Sequence, residues 1–396
     1  MEGQGHARRG RMARDRLGGV ENSEPSDEAV DLRELVSLPM FEEPANAQLA
    51  PAIRHYVAGG AADEHTLRSN VDAWAEIGLA PRTLVDVSSL ATETQLLGIE
   101  LAHPIMLAPT AQHRAYHPLG ESATLQGARA ADALCVMSSL GATSLAELGA
   151  AAGSDPWFFQ LYVQRDRGFT EEVVRRAVAA GAKALVLTVD TPTLGARDRD
   201  KRNQLGRIDG YTYPILADAP TAAEEVAPHR RIFNPLLAPD ITWSDLEWLV
   251  EISPVPVVTK GHLRGDDAAR AVDCGAAAVI VSNHGARNLD TVPATATALP
   301  FVVDAVADRV PVLVDGGIRR GTDVVKALLL GASAVLVGRP IIWGLTLGGA
   351  AGVQQVIEIL RTELEMAMAL LGAPTLADLT PDLLWPTYAA EATERS

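Results

Sequence analysis

The sequence is poor in cysteine and aromatic residues, and it has more acidic than basic side chains. Its 396 residues include two cysteines, Cys135 and Cys274, both within apolar or Ala/Gly-rich segments. This favours buried, reduced thiols over a disulfide and predicts a cytoplasmic protein. The formal net charge is -16, which disfavours nucleic-acid partners because these require a positive surface. An anionic small-molecule substrate is still compatible with this charge, because a pocket can be positive on an acidic protein.

Long uninterrupted apolar runs are also missing. The most apolar region, residues 327–353, is broken by Gly338-Arg339-Pro340, so neither a transmembrane helix nor a membrane partner is predicted. Several arginines lie near the N-terminus, but no apolar core follows them, which argues against a signal peptide. Residues 1–30 are polar and rich in Gly and Arg, which predicts a disordered tail. We expect one folded domain over residues 31–380, beginning with a helical segment, and a C-terminal tail over residues 381–396.

Eight short apolar runs follow one another from about residue 101 onward, and helix-like segments separate most of them. The runs are rich in Val, Ile and Leu without alternation, which is typical of strands buried on both faces. The helix-like segments Glu171–Ala180, Asp266–Asp273 and Thr322–Leu330 are each followed by glycine, a common helix stop. Eight such units predict a (β/α)8 TIM barrel of the α/β class, with a doubly wound open sheet as the alternative. The predicted strands are Pro104–Thr110, Ala133–Ser139, Trp157–Val163, Ala184–Asp190, Val255–Gly261, Ala277–Asn283, Pro311–Gly317 and Ala334–Pro340.

Two segments depart from this rhythm. Ala196 to Asp240, after the fourth strand, is long and contains Gly, Pro and charged residues, so we expect a lid-like excursion over the barrel mouth. Gly352 to Leu371 has the apolar spacing of a helix, and we expect it to pack on the outside of the barrel.

Polar side chains stand at the ends of all eight runs, where a barrel carries its chemistry. One such residue alone would say little, because a lone Lys or Asp at a strand end is often a cap. Polar residues at the ends of all eight runs in one chain predict an active site. The residues at these ends are Thr110, Ser138, Ser139, Gln160, Tyr162, Thr188, Asp190, Lys260, Asn283, His284, Asp315 and Arg339.

The last three ends add specific chemistry. His284 and Arg287, three residues apart, can place a base and a carboxylate-binding guanidinium on one side of a pocket. The seventh run continues as Asp315-Gly316-Gly317-Ile318-Arg319, and the eighth ends in Gly338-Arg339. Glycine N–H groups and arginines at these two strands predict a phosphate-bearing cofactor, although either motif alone would be as typical of a tight turn with an exposed arginine.

The segment Ser282-Asn283-His284-Gly285-Ala286-Arg287-Asn288-Leu289-Asp290 resembles the signature of the FMN-dependent 2-hydroxy acid oxidases and dehydrogenases. This is the family of glycolate oxidase, lactate oxidase and mandelate dehydrogenase, whose pattern has glutamine at position 288. The similarity covers about residues 50–375 and includes, in the family's order, Tyr56–Glu64, Pro104–Ala111, Phe159–Tyr162 and Thr188–Pro192. It implies a TIM barrel, FMN as cofactor, no metal ion and a homo-oligomer, by resemblance a tetramer.

The resemblance also implies roles for individual residues. His284 would be the base, Asp190 would orient it, Lys260 would stabilise the reduced flavin, and Tyr162 would bond the reacting oxygen. The residues implied in substrate binding are Tyr56, Tyr162, Arg197, His284 and Arg287. Those implied in FMN binding are Pro109, Thr110, Ala111, Ser138, Gln160, Thr188, Lys260, Asp315, Gly317, Arg319, Gly338 and Arg339.

The implied reaction oxidises an (S)-2-hydroxy acid to the 2-oxo acid, by hydride transfer or through a carbanion. Reoxidation by O2, giving hydrogen peroxide, is favoured over another electron acceptor because the sequence shows no haem module and no membrane-inserting segment. Oxidative decarboxylation is a further alternative. A tailoring enzyme with a larger substrate is another, against which the presence of both Arg197 and Arg287 argues. A non-enzymatic flavin-binding protein would be expected to lack His284, Asp190 or Lys260, and all three are present.

Two departures from the family pattern lie near the expected site. Leu140 stands where glycolate oxidase has a large aromatic residue, which predicts a substrate bulkier than glycolate, aromatic or branched. Asn288 is shorter than the family's glutamine, so it changes the hydrogen bonding next to Arg287 and could loosen the geometry of His284 and Arg287.

Overall fold

The computed structural model describes residues 30–203, 212–221 and 232–386. Eight parallel strands close into a barrel, in which each strand pairs with the next along the chain and the last pairs with the first. The TIM-barrel prediction is confirmed, and the open-sheet alternative is wrong. A short antiparallel hairpin, β1 (Thr94–Leu96) and β2 (Ile99–Leu101), precedes the barrel. The barrel strands are β3 (Ile105–Leu107), β4 (Cys135–Ser138), β5 (Trp157–Leu161), β6 (Ala184–Thr188), β7 (Val257–His262), β8 (Ala278–Val281), β9 (Val312–Asp315) and β10 (Ala334–Val337).

The barrel interior is a packed apolar core. Its side chains come from alternate positions of the strands, among them Met106, Phe158 and Ile280, each at most 2% exposed. Neighbouring positions of the same strands are equally buried against the surrounding helices, which explains the lack of alternation in the sequence. Leu96 and Leu101 of the β1–β2 hairpin belong to the same cluster. Burial of one such side chain stabilises the fold by about 1.5–3 kcal/mol.

Helices surround the barrel and follow its strands. The three helices expected between strands are present, each beginning one to four residues earlier than predicted. Gly181, Gly275 and Gly331, just beyond their ends, have φ angles of 106°, 94° and 94°, values that favour glycine. The helices are α1 (Pro39–Gln48), α2 (Pro51–Ala58), α3 (His65–Glu76), α4 (Gly120–Ala130), α5 (Leu145–Ala152), α6 (Arg167–Ala179), α7 (Asp198–Arg202), α8 (Trp243–Ile252), α9 (Gly265–Asp273), α10 (Thr295–Val306), α11 (Gly321–Leu329) and α12 (Arg339–Leu371).

The last helix has two parts. Non-helical backbone at Gly348 and Gly349 interrupts α12, and the part beyond this break contains the predicted segment Gly352–Leu371. As a whole, α12 packs on α4, α11 and α1. Within the predicted segment, Val353 lies against Gly127 of α4 and Leu364 against Gly321 of α11, outside the barrel as expected.

The N-terminal helical segment reaches the barrel mouth through α3. The indole Nε1–H of Trp74 donates to the Gly316 carbonyl at 2.8 Å, and the Lys326 ammonium donates to the Trp74 carbonyl at 2.7 Å. The first bond holds α3 against the loop that follows β9, and the second holds it against α11. Leu32 and the described residues after it form one compact unit.

Some expectations fall on parts of the chain that the structure does not describe. Residues 1–29 of the expected N-terminal tail lie outside the described part of the chain. So do residues 387–396 of the predicted C-terminal tail, whereas Leu383 and Leu384 at its beginning are buried. Of the excursion between Ala196 and Asp240, α7 and a single turn at Pro214–Leu216 are described, but residues 204–211 and 222–231 are not. Within the described ranges, no helix is long and apolar enough to cross a membrane.

Candidate active site

The carboxyl ends of the barrel strands bring the predicted polar residues together. At the end of β7, the Lys260 ammonium contacts Asp315 Oδ2 at 3.0 Å and donates to Ser282 Oγ at 2.8 Å. Burial lowers the pKa of Lys260, but the charges of Asp315 and Asp190 outweigh it and raise the pKa above its ordinary value. Lys260 is therefore a fixed buried cation. Asp315 Oδ1 is buried, and no hydrogen-bond partner for it lies among the residues described.

A chain of polar side chains joins the ends of β4, β5 and β6. Ser138 Oγ donates to Gln160 Oε1 at 3.1 Å, and Gln160 Nε2 donates to Thr188 Oγ1 at 2.9 Å. All three side chains are buried. Buried polar groups are costly unless they have partners, so this mutual bonding keeps an array of donors and acceptors in place beside Lys260.

His284 is held as a neutral base. Its Nδ1 lies 2.9 Å from Asp190 Oδ1, and its backbone has the left-handed φ of 58°, which points the residue away from the strand direction. Burial lowers the pKa of His284, and Asp190 only partly opposes this. Burial raises the pKa of Asp190, but His284 and its other partners bring it below the ordinary value. An ionised Asp190 can only accept, so Nδ1 carries the proton and Nε2 has the free lone pair.

Two part-buried arginines lie beside this base. Arg287 Nη1 donates to the carbonyls of Tyr56 at 2.6 Å and Gly59 at 2.9 Å, whereas its Nη2 is buried and has no partner among the described residues. Arg197 Nε donates to the Arg287 carbonyl at 3.0 Å. Burial and then the charge of Arg287 lower the pKa of Arg197 to about 10. The Tyr162 hydroxyl shares this region, and its pKa is raised by burial and then by Asp190. A carboxylate would relieve the repulsion between these cations.

The loops after β9 and β10 provide two further cations, both part-buried. Arg339 donates from Nε to the Val57 carbonyl at 2.9 Å and from Nη2 to the Gly59 carbonyl at 3.0 Å. Burial, then Arg287 and Arg319, lower its pKa to about 9. Arg319 lies over the Trp343 ring at 5.0 Å, and burial lowers its pKa. These guanidinium groups are far better stabilised with an anion between them than without one.

Known proteins are similar to this chain in both sequence and structure. Residues 45–386 match the family model described as FMN-dependent dehydrogenase. The chain belongs to the FMN-dependent dehydrogenase family. It is 46% identical over 359 residues to an L-lactate oxidase of Nostoc sp., and the alignment covers 88% of this chain and 98% of that protein. A peroxisomal (S)-2-hydroxy-acid oxidase of Oryza sativa subsp. japonica is 45% identical, covering 87% and 94%. A crystal structure of mandelate oxidase with (S)-2-phenylpropionate superposes with a TM-score of 0.79 at 39% identity, covering 87% of this chain and 96% of that one.

FMN is the cofactor of this family, and the site fits it. The part-buried Arg319 and Arg339 suit the phosphate, and Asp315 Oδ1, which has no partner among the described residues, suits a ribityl hydroxyl. Gly316 and Gly317 have φ angles of 95° and 85°, which turn the chain tightly after β9. A Cβ on Gly338 would lie 3.7 Å from Thr110 Cγ2, so the end of β3 adjoins the loop after β10. Because β3 lies between β10 and β4 in the barrel, Pro109, Thr110 and Ala111 lie between the loop after β10 and the polar array of β4–β6.

The family site also contains residues that the sequence patterns did not single out. Thr191 bonds Asp190, and Ser282 accepts from both Lys260 and the His284 backbone N–H. Asn70 of α3 exchanges two amide hydrogen bonds with Asn283, at 2.9 and 2.8 Å. Thr191 and Ser282 are next to predicted residues and could have been inferred by adjacency.

Two further side chains interact electrostatically with Arg287. Asp200 belongs to the excursion, and Tyr116 belongs to the loop before α4. Asp200 of α7 has its pKa raised by burial, with Arg287 and Arg197 opposing that shift. Tyr116 is buried, and burial followed by the proximity of Tyr56 raises its pKa. Neither residue stands at a strand end, so the rule that directed attention to strand ends passed over both.

Proposed function

We propose that this protein oxidises (S)-2-hydroxy acids to 2-oxo acids with FMN as its cofactor and O2 as the electron acceptor. One turnover converts a hydroxy acid and O2 into a 2-oxo acid and hydrogen peroxide. The observation that carries this proposal is the neutral imidazole of His284, fixed by Asp190 and flanked by Arg287, whose Nη2 is buried without a partner. A base next to an unsatisfied carboxylate-binding group is what removal of a proton from a hydroxy acid requires.

Each residue of the site has a place in this reaction. Arg287 and Arg197 bind the substrate carboxylate, and Tyr56 and Tyr162 bond its oxygens. His284 Nε2 takes the proton that the substrate loses, and the negative Asp190 stabilises the resulting imidazolium. FMN, when bound, takes up the two electrons.

Lys260 would support the same step from β7. As a buried cation paired with Asp315, it would stabilise negative charge on the bound cofactor. Ser138, Gln160 and Thr188 would offer donors and acceptors to the polar part of the flavin. Because these groups are fixed before the substrate arrives, little reorganisation is needed during the reaction.

The substrate is expected to be bulkier than glycolate. Leu140 is held in place by its N–H, which donates to Ser138 Oγ at 3.1 Å. Its apolar side chain replaces a large aromatic residue of glycolate oxidase and leaves more room, in keeping with an aromatic or branched acid. The names of the relatives, which include oxidases of lactate and of other (S)-2-hydroxy acids, support O2 as the acceptor.

We also propose a cytoplasmic homo-oligomer built from a single barrel domain. The exposed apolar side chains of Met366 (58%) and Leu370 (75%) on the last turns of α12 support self-association. Light scattering coupled to size-exclusion chromatography would give a mass near that of four chains, whereas a monomer mass would contradict this part of the proposal.

Peroxide formation under air tests the activity. Lactate, glycolate, mandelate and a long-chain 2-hydroxy acid are supplied as separate (S) and (R) forms where they are chiral, with FMN present. We expect peroxide and 2-oxo acid in equal amounts from at least one (S) acid, and none from its (R) form. Oxidation with an artificial acceptor but without peroxide would reject O2 as the acceptor. Absence of any product would reject the function.

A further inference from the structure

The carboxylate of Asp190 is held by two donors on one oxygen. Oδ1 accepts from His284 Nδ1 at 2.9 Å and from Thr191 Oγ1 at 2.9 Å. Oδ2 is buried and has no partner within the ranges that the structure describes. The carboxylate could therefore rotate to exchange its oxygens unless something outside the Asp190–His284 pair fixes it.

The side chain of Asn288 supplies that restraint. Its Nδ2 donates to the Asp190 backbone carbonyl at 2.8 Å and to Thr191 Oγ1 at 2.9 Å. No described residue bonds the buried Asn288 Oδ1, so the hydrogen bonds described for this side chain are those that its Nδ2 donates. Asn288 thus bonds Asp190, whose side chain is the carboxylate, and Thr191, which donates to that carboxylate.

The number of available hydrogens fixes which group donates and which accepts in each of these hydrogen bonds. A carboxylate only accepts, so the single hydroxyl hydrogen of Thr191 goes to Asp190. Thr191 Oγ1 must then accept from Asn288, which has two amide hydrogens and uses both. His284 Nδ1 lies 3.2 Å from Thr191 Oγ1 as well as 2.9 Å from Asp190. Because both oxygens face Nδ1 as acceptors, the ring proton is confined to Nδ1 and the lone pair to Nε2.

We propose that Thr191 and Asn288 are positioning residues that fix the tautomer and orientation of His284 through Asp190. The proposal rests on the proposed function only in naming His284 as the base. It gives Asn288, whose side chain is shorter than the family's glutamine, a positioning role in the site. Asn288 has the length that lets one amide nitrogen reach both the Asp190 carbonyl and the Thr191 hydroxyl, and a glutamine would have to move that nitrogen.

The kinetic test uses isosteric variants of the holoenzyme. Thr191→Val removes the hydroxyl and keeps the shape, whereas Thr191→Ser keeps the hydroxyl. We expect Thr191→Val to lower kcat on the order of tenfold to a hundredfold, because a misaligned base is costly, with KM unchanged within about twofold. Thr191→Ser should restore most of kcat, and Asn288→Leu should lower kcat in the same way as Thr191→Val. Equal activity of Thr191→Val and the unmodified enzyme would overturn the proposal.

A spectroscopic test works without turnover. A hydrogen-bonded Nδ1 proton gives a far-downfield proton resonance, and its loss in His284→Gln assigns it among the nine histidines. We expect the resonance in the unmodified protein and in Thr191→Ser, and a weakened or shifted one in Thr191→Val. Persistence of an unchanged resonance in Thr191→Val would overturn the proposal. A resonance that depends on Thr191 in a protein that oxidises no hydroxy acid would support the positioning and reject only the proposed function. The flavin absorbance of each variant verifies that it is folded.

Discussion

Arg287 joins two parts of the molecule through one guanidinium group. Nη1 is bonded to the carbonyls of Tyr56 and Gly59, and the guanidinium lies 4.7 Å from the centre of the Tyr56 ring. Nη2 has no partner in the described part of the chain, and we expect it to bind the substrate. The side chain is thus oriented by the N-terminal segment before any substrate binds, which reduces the entropy lost on binding.

Arg287→Lys should therefore weaken substrate binding. A lysine cannot bond the carbonyls and the carboxylate in the same fork, and the loss of a charged hydrogen bond costs about 1.5–3 kcal/mol. We expect KM to rise about tenfold to a hundredfold, as measured by steady-state kinetics. Arg264→Lys is the matched control, because that side chain is 72% exposed and bonded to Asp266. A KM that stays the same in both variants would contradict the assignment of Arg287.

His284 determines how activity depends on pH. The base must be neutral, and burial lowers its pKa below the ordinary value of about 6.5. Activity should thus be complete at pH 7 and decline only as the pH falls through the lowered pKa. The profile of kcat/KM against pH reports this group in the free enzyme. An acid limb above pH 7 would show that His284 is charged at neutral pH and would contradict its role.

The loop after β9 is shaped by its contact with α3. Gly317 has a φ of 85°, and a Cβ there would lie 1.8 Å from the Asn70 carbonyl oxygen. Nothing smaller than a shift of α3 would relieve this clash. Since α3 also bonds Gly316 and Asn283, the helix connects the predicted phosphate loop to the loop that carries His284.

Gly317→Ala should consequently destabilise the protein and weaken FMN binding together. Strained backbone costs about 1–3 kcal/mol, and the overlap with α3 adds to that. Gly98→Ala is a matched control, because Gly98 has a similar φ of 80° but no atom within 4 Å of the added Cβ. Thermal unfolding and FMN titration of both variants separate the two effects. If Gly317→Ala lost no more stability than Gly98→Ala, the close packing of α3 on this loop would be wrong.

The strands and the site differ in how far the sequence could predict them. Strands such as Ala184–Thr188 are unalternating apolar runs, because both their faces are buried, and such runs are visible in the sequence. Strand ends such as Lys260 followed from the barrel geometry. The pairing of Asn70 with Asn283 spans 213 positions and depends on how α3 docks. Local pattern carries no signal for such a contact.

Arg339 shows the same limit at the site. Its position after β10 predicted an anion-binding group, but its bonds to the Val57 and Gly59 carbonyls were not predictable, because they require α2 to end at the barrel mouth. Through the Gly59 carbonyl, which also accepts from Arg287, the expected phosphate and carboxylate subsites share one backbone anchor.

At the scale of the whole molecule, several part-buried cations lie at the carboxyl end of the barrel on a protein of net charge -16. Arg197, Arg319 and Arg339 all have a lowered pKa because of burial. Such a cluster destabilises the empty barrel and is relieved by anionic ligands. The fold is thus expected to gain stability from its cofactor.

FMN should stabilise the protein more than riboflavin does. A ligand at a hundred times its Kd adds about 2.7 kcal/mol to the free energy of unfolding. Riboflavin lacks the phosphate that Arg319 and Arg339 are expected to bind, so its effect on Tm should be clearly smaller at equal concentration. Differential scanning fluorimetry or calorimetry of the cofactor-free protein makes the comparison. Equal shifts for both compounds would contradict the phosphate subsite.

The most direct test of the account is an anaerobic titration of the FMN-loaded protein with a panel of (S)-2-hydroxy acids. We predict that at least one acid bleaches the visible flavin band completely, and that His284→Ala retains the cofactor but is reduced at least a hundredfold more slowly, the effect of losing a base. A bound flavin that no acid reduces, or His284→Ala reduced at the rate of the unmodified protein, would contradict the central claim that His284 is the base of a 2-hydroxy acid oxidase.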